Sequence, residues 1–288
     1  MKNMKFAALS TLLVSTVLLG SSVAFAAKDG ATADNPATRD TKAVVTFLEN
    51  TDPVDPVDPI DPEIPVDPID PVDPEVPVEP GTGGPLSLDY ASSLNFGKHK
   101  ISTKNEVYYA NSQKVTDKET GATTEKPLYA QLTDKRAKND LMGWTLSVTQ
   151  NGQFKTAAGD ILTGAEIAFA QAEAVTVAGN EKNAPSEVIS DQKLTPGTDH
   201  KLMFAAKGEG SGTWVYRLGN ESSIKMKTEE TVNEAGEVVS TEVSKDEAVT
   251  LSVPGSTTKV KDEVYQTTLT WKLSTVASDD EGEEPGGK

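Results

Sequence analysis

A proline stands at every third position between Asp52 and Pro80, ten in 29 residues, and nothing else in the chain restricts the backbone so strongly. Proline fixes φ and removes a ladder donor, so this segment can supply neither a helix interior nor a central strand. Polyproline II has three residues per turn, which lines all ten prolines along one edge of an extended rod. The residue before each proline is Asp or Glu except at Ile64 and Val76, and the residue after it is Val, Ile or Glu until Gly81. The two exceptions are linked. Glu63-Ile64 and Glu75-Val76 exchange acidic and aliphatic positions twelve residues apart, which marks a duplicated twelve-residue unit. At about 3.1 Å per residue the segment would reach roughly 90 Å. Its acids would stand about 9 Å apart along the axis, near the Debye length of physiological salt, so repulsion favours extension. Residues 52–84 are therefore expected to form a solvated acidic spacer, a long polyproline II excursion. Calcium binding is disfavoured because one carboxylate per turn does not converge the six to eight oxygens that calcium takes.

The N-terminus reads as an address. Lys2 and Lys5 precede a mostly apolar stretch from Phe6 to Leu19, and Ala24-Phe25-Ala26 supplies small residues where a signal peptidase reads, so a signal peptide over 1–26 is expected, cleaved after Ala26. The protein is then extracellular. Residues 27–51 carry one strand-like run, 43–48, too short to stand alone and expected to pair with the main domain. A free peptide at the end of the spacer is the alternative.

Charge and composition remove several functions. The net charge is −17, and loss of Lys2 and Lys5 takes the mature chain to −19. Most of that excess sits in the spacer and in a tail at 279–288, which is expected to be acidic and disordered. No nucleic-acid partner is expected, because such affinity comes from Lys and Arg displacing counterions. There is no cysteine and there are only two histidines, His99 and His200, which leaves no thiolate or multi-histidine metal centre. Gly210-Ser211-Gly212 lacks the frame of a nucleophile elbow. No catalytic residue, metal site or cofactor is assigned, and the protein is read as a non-enzyme.

The body, 85–278, is read as all-β. Short runs rich in Val, Thr, Leu and aromatics recur between Gly, Asn, Asp and Pro. Strands are expected at 86–89, 94–98, 128–132, 141–149, 201–206, 213–218, 248–253 and 264–275, with 166–175 ambiguous between helix and strand. Period-two alternation puts Trp144, Leu146 and Val148 on one face, and Leu269, Trp271 and Leu273 on one face of another strand. An antiparallel β-sandwich or an irregular barrel-like domain accommodates this many strands.

Two tripeptides carry a resemblance: Trp144-Thr145-Leu146 and Trp271-Lys272-Leu273, 127 residues apart. Together with Leu86-Ser-Leu-Asp-Tyr-Ala-Ser-Ser-Leu-Asn-Phe-Gly97, Gly143-Trp144-Thr145-Leu146-Ser147-Val148, Gly212-Thr213-Trp214-Val215-Tyr216 and the Asp-Pro repeats, they make the chain resemble the WxL-domain surface proteins of low-GC Gram-positive bacteria. The resemblance implies noncovalent attachment to the cell wall, through peptidoglycan or another wall polymer, often in a complex with membrane-anchored surface proteins. No Leu-Pro-x-Thr-Gly with a hydrophobic tail is present for covalent attachment. The resemblance offers Trp144, Leu146, Trp271 and Leu273 as wall-contacting residues, with indoles as platforms for sugar rings. Alternation alone makes the same four residues core. Lys98, His99 and Lys100 form a small basic cluster, read first as a solvated face and second as a contact for anionic wall polymers. The alternative to wall binding is a structural or adhesive protein held by another surface protein or binding host matrix.

Overall fold

Strand formation in this chain follows side-chain alternation wherever one face of a run can be buried. A computed structural model describes residues 33–34, 36–232 and 237–275. The expected signal peptide, its cleavage site after Ala26 and the acidic tail lie outside the described residues. The chain divides into two units, Met1–Phe47 and Leu48–Lys288. The described part of the first contains no strand. The strand expected over 43–48 is not formed: Val44, Val45, Phe47 and Leu48 are exposed and the backbone enters no ladder. The run has apolar residues in succession rather than in alternation, so it has no single face to bury.

The second unit holds sixteen strands among its described residues. The first eight are β1 (Val66–Ile69), β2 (Leu86–Ala91), β3 (Glu106–Asn111), β4 (Gln113–Asp117), β5 (Thr123–Lys126), β6 (Tyr129–Asp134), β7 (Trp144–Gln150) and β8 (Glu166–Phe169). The others are β9 (Ala172–Val175), β10 (Glu187–Val188), β11 (Gln192–Lys193), β12 (Asp199–Ala205), β13 (Gly212–Leu218), β14 (Ile224–Val232), β15 (Val238–Val253) and β16 (Leu269–Thr275). All pairings are antiparallel. The four sheets run β1-β4-β5, β2-β6-β13-β9, β10-β12-β7-β16 and β11-β8-β15-β14, with β3 laid along β15 as well. The expected all-β, antiparallel class is observed, as an irregular barrel-like assembly around one main core. Trp144, Trp214, Tyr216, Phe169, Leu146, Ile167 and Leu202 are fully buried there. The ambiguous 166–175 stretch is two strands, β8 and β9, in different sheets, separated by Gln171 at φ 53°. Residues 94–98 form no strand, and the last expected strand is shortened to β16.

The proline segment corrects the expectation of a free rod. Its first half folds back and docks. Val57 and Pro65 form an antiparallel bridge, and β1 pairs with β4 from Val66↔Asp117 to Ile69↔Lys114. Val66 is fully buried. Proline is tolerated in β1 because β1 is an edge strand, where Pro68 gives up no bond to a second neighbour. The two breaks in the acid-aliphatic pattern are two copies of one turn. Asp58 Oδ1 accepts from Ile60 N and Asp61 N, and Ile64 N donates to Asp61 O. Twelve residues on, Asp70 Oδ1 accepts from Val72 N and Asp73 N, and Val76 N donates to Asp73 O. Each turn carries Asp-Pro at its first two positions, the preferred residues there. The interruption of the period is therefore the turn signal.

Buried amides and cations of the body hold this strap. Gln131 donates from Nε2 to Asp55 O at 3.0 Å and accepts from Val57 N at 2.8 Å. Gln113 Nε2 donates to Ile69 O at 2.7 Å, and Arg217 Nη1 reaches Pro59 O at 3.4 Å. The buried Asp58 carboxylate meets Lys126 Nζ at 2.7 Å. On the surface, Lys118 bridges Asp55 and Asp67. Acids expected to repel one another thus find cations on the body.

Beneath the strap, buried Asp89 accepts from Ser87 Oγ and Thr133 Oγ1, both at 2.6 Å, and from Gln131 Nε2 at 3.1 Å. Burial raises its pKa above the ordinary 3.8, against the opposing pull of these bonds. The folded carboxyl then keeps its proton to higher pH than the unfolded one. Stability from this group is complete below 3.8 and is lost as pH rises through the folded value. Urea denaturation across this window is expected to show the cost of Asp89→Asn largest at its acid end and shrinking as pH rises.

Candidate functional site: the paired Trp-x-Leu strands and a lysine-tyrosine groove

The two Trp-x-Leu tripeptides, so far apart in sequence, lie side by side. In the β7–β16 ladder Leu146 stands opposite Leu273, Trp144 opposite Thr275 and Trp271 opposite Val148. Each tryptophan therefore faces the residue two beyond the other motif's leucine, an arrangement close to a local two-fold. Their environments differ. Trp144 and Leu146 are fully buried, and Trp144 Nε1 donates to Gly210 O at 3.0 Å. Gly210 has φ +72°, and a Cβ there would lie 2.4 Å from Trp144 Nε1, so only glycine fits against the indole. Arg136 supports the start of the strand, pairing with Asp134 and donating from Nη2 to Gly143 O at 2.9 Å.

Trp271 and Leu273 are half-buried on β16, the edge of its sheet. The Trp271 indole stacks on buried Phe169 with centroids 6.2 Å apart and planes 8° apart. It caps the core with one face. The outer side of the same strands is polar: Lys272 pairs with Asp199 across β7, and that pairing holds the Asp199 carboxyl below its ordinary value. The expectation of four wall-contacting residues is thus corrected for two. Trp144 and Leu146 are enclosed by β12 and the 210 loop and present nothing to a ligand, because alternation on a strand covered on that face buries both side chains.

A second feature lies at β3, β14 and the 98–104 loop. These elements line an open groove of about 710 Å³ that includes Lys98, Lys100, Lys104, Tyr108, Tyr109 and Lys227. Lys227 Nζ sits 5.3 Å from the centre of the Tyr109 ring and 2.5 Å from Glu247. Lys100 pairs with Glu230 at 2.6 Å, whereas Lys98 and Lys104 have no acidic partner among the described residues. His99 stacks on Tyr108 at 4.0 Å, and its Nε2 lies 2.6 Å from Phe96 O. The residue is exposed overall, yet its stacked ring is desolvated enough to lower the imidazole pKa. Of this groove the sequence indicated only Lys98, His99 and Lys100. Tyr108, Tyr109 and Lys227 come from strands that alternation did not single out. His200, the other histidine, is tied into the fold, accepting from Thr195 N at 2.9 Å and meeting Gln192 at 3.0 Å.

A family model described as WxL domain surface cell wall-binding matches residues 34–276, most of the chain. The chain belongs to the WxL family. It carries a cell wall-binding surface domain. No curated protein and no solved structure matches it. In this WxL domain the two motifs that gave the resemblance form one ladder, in which one indole is core and the other is a partly open cap.

Proposed function

We propose that this protein is exported, attaches noncovalently to the Gram-positive wall through peptidoglycan or another wall polymer, and holds that polymer in the lysine-tyrosine groove. The observation that carries the placement is one open groove lined by Lys98 and Lys104, cations without acidic partners among the described residues, and by Tyr108 and Tyr109 from β3. Tyrosine rings offer apolar faces to sugar rings, and the ammonium groups offer charge to carboxylates or phosphates along a wall polymer. The docked strap makes the folded unit acidic overall, so approach to an anionic wall falls to the local positive charge of Lys98 and Lys104 in the groove. The protein acts by binding rather than by catalysis. On incubation with purified walls, release of soluble glycan fragments would overturn that part of the reading.

The test is co-sedimentation with purified peptidoglycan. Tyr109→Ala and Lys98→Glu are each expected to weaken retention about tenfold, equivalent to about 1.4 kcal/mol. Urea midpoints should stay within a small margin of the parent. Unchanged retention in both variants would remove the groove from wall binding.

A second reading rests on the open edge of β16, where Leu269, Trp271 and Leu273 are only half-covered. There the chain would be held by another surface protein or would bind host matrix, with Trp271 and Leu273 as contacts. Under that reading naked peptidoglycan fails to retain the protein, and retention on cells disappears when the partner is deleted.

A further inference from the structure

Three side chains of complementary reactivity meet beside the groove, from three neighbouring strands, and two of them, Glu229 and Lys245, line it. Lys245 on β15 and Asn111 on β3 are direct cross-strand partners, and Glu229 projects from β14, which pairs along β15. Lys245 Nζ donates to Asn111 Oδ1 at 2.6 Å and lies 2.5 Å from Glu229 Oε1. The lysine side chain is 3% exposed and the glutamate 12%, so both groups are largely out of water. The Nζ–Oε1 approach is close but poorly directed: Oε1 is buried and accepts no hydrogen bond. Gly97, at φ +84°, closes over this carboxylate, and a Cβ at that position would lie 2.2 Å from Oε1.

A buried amine against a carboxamide, with a carboxylate in contact with the amine, is the reactant set for transamidation. We propose that Lys245 and Asn111 become joined by an intramolecular isopeptide bond, with Glu229 carrying the proton. The Lys245 ammonium gives a proton to Glu229, which leaves a neutral amine with a free electron pair. Nζ attacks Asn111 Cγ, and the carbonyl pair moves onto Oδ1. The Nζ–Cγ bond forms and the Cγ–Nδ2 bond breaks as the carbonyl is restored. Nδ2 takes a proton through Glu229 and leaves as neutral ammonia, while the lysine's surplus proton stays on the Glu229 carboxyl. One amide is exchanged for another, so no oxidant, reductant or cofactor enters the balance. The open groove lets the ammonia leave.

The bond also removes an unfavourable arrangement. A buried ammonium and a buried carboxylate must both be desolvated, a cost that Coulomb attraction does not reliably return. After the reaction the lysine nitrogen is a neutral amide and Glu229 a neutral acid, so neither charge remains buried. The product ties β3 to β15 across 134 positions of sequence.

The test is intact mass of the full mature chain, its N-terminus read in the same spectrum, followed by digestion and fragment sequencing. The expected result is a mass short by one ammonia, together with a branched peptide joining the stretches around residues 111 and 245. A mass equal to that of the sequence overturns the proposal. So does a loss of ammonia that maps to an unbranched, cyclised Asn111. Glu229→Gln keeps both reactants and removes the proton carrier, and is expected to show the full sequence mass in a chain that still unfolds cooperatively in urea. A branched peptide in that variant would overturn the role of Glu229. Asn111→Ala, also expected at full mass, serves as the second variant if Glu229→Gln fails to fold, and a branched peptide at Lys245 in it would overturn the pairing.

Discussion

Trp144→Ala is expected to lower the unfolding free energy by about 3–5 kcal/mol, the range for emptying a buried aromatic site. The indole is fully enclosed and its Nε1 bonds Gly210 O, so the substitution opens a cavity and orphans a carbonyl. Trp271→Ala is expected to cost about 1–2 kcal/mol, since the side chain is half-exposed and full burial of a large apolar group stabilises by about 1.5–3 kcal/mol. Urea denaturation of both variants checks the ranking. The same pair bears on wall retention. Trp144→Ala should reduce retention only in proportion to its unfolded fraction. Loss of binding by a Trp144→Ala chain with an unchanged midpoint would contradict its place in the core.

Breaking the clasp under the proline strap should have the second largest effect. Asp58 is buried and serves three donors: Lys126 Nζ and the amides of Ile60 and Asp61. Asp58→Ala leaves Lys126 without its counter-charge and opens the first turn. A cost of about 3 kcal/mol is expected, at the lower end for a broken buried pair because Lys126 keeps some access to water. Local opening of the strap should precede global unfolding. Amide hydrogen exchange should show protection falling at Val57, Asp58, Ile64 and Val66, whose N–H groups bond to Gln131 or within the strap, while β7 and β13 stay protected. Uniform loss of protection would mean that strap and body unfold as one.

What the sequence revealed depended on whether the physics was local. Trp144, Leu146 and Val148 announce a buried face by alternation, and β7 forms where that face predicts. The proline period was also legible, but its meaning was not. A three-residue period suits a free polyproline helix and equally a clasped edge strand, and the choice lies with Gln113, Gln131, Arg217 and Lys126, far away in the chain. The signal was present in the breaks at Ile64 and Val76, which coincide with the two turns. Placing 43–48 in a sheet failed because β-propensity without alternation gives no preferred face. Trp144 and Trp271 read alike in sequence and differ in exposure because β7 is central and β16 is an edge. Of the groove only the Lys98-His99-Lys100 cluster was legible, and the meeting of Asn111, Glu229 and Lys245 had no local signature, since register between three strands creates it.

The position of β16 has a consequence for the order in which the protein assembles. Its ladder partner β7 is made more than a hundred residues earlier, and Phe169 lies uncapped until Trp271 arrives. A chain emerging from its N-terminus therefore cannot complete this sheet or close its core until residues near 275 are free. Closure of so long a loop is slow, because its entropy must be paid before the contact forms. The last strand acts as a latch, and a chain cut short before it would keep an open, apolar seam along β7.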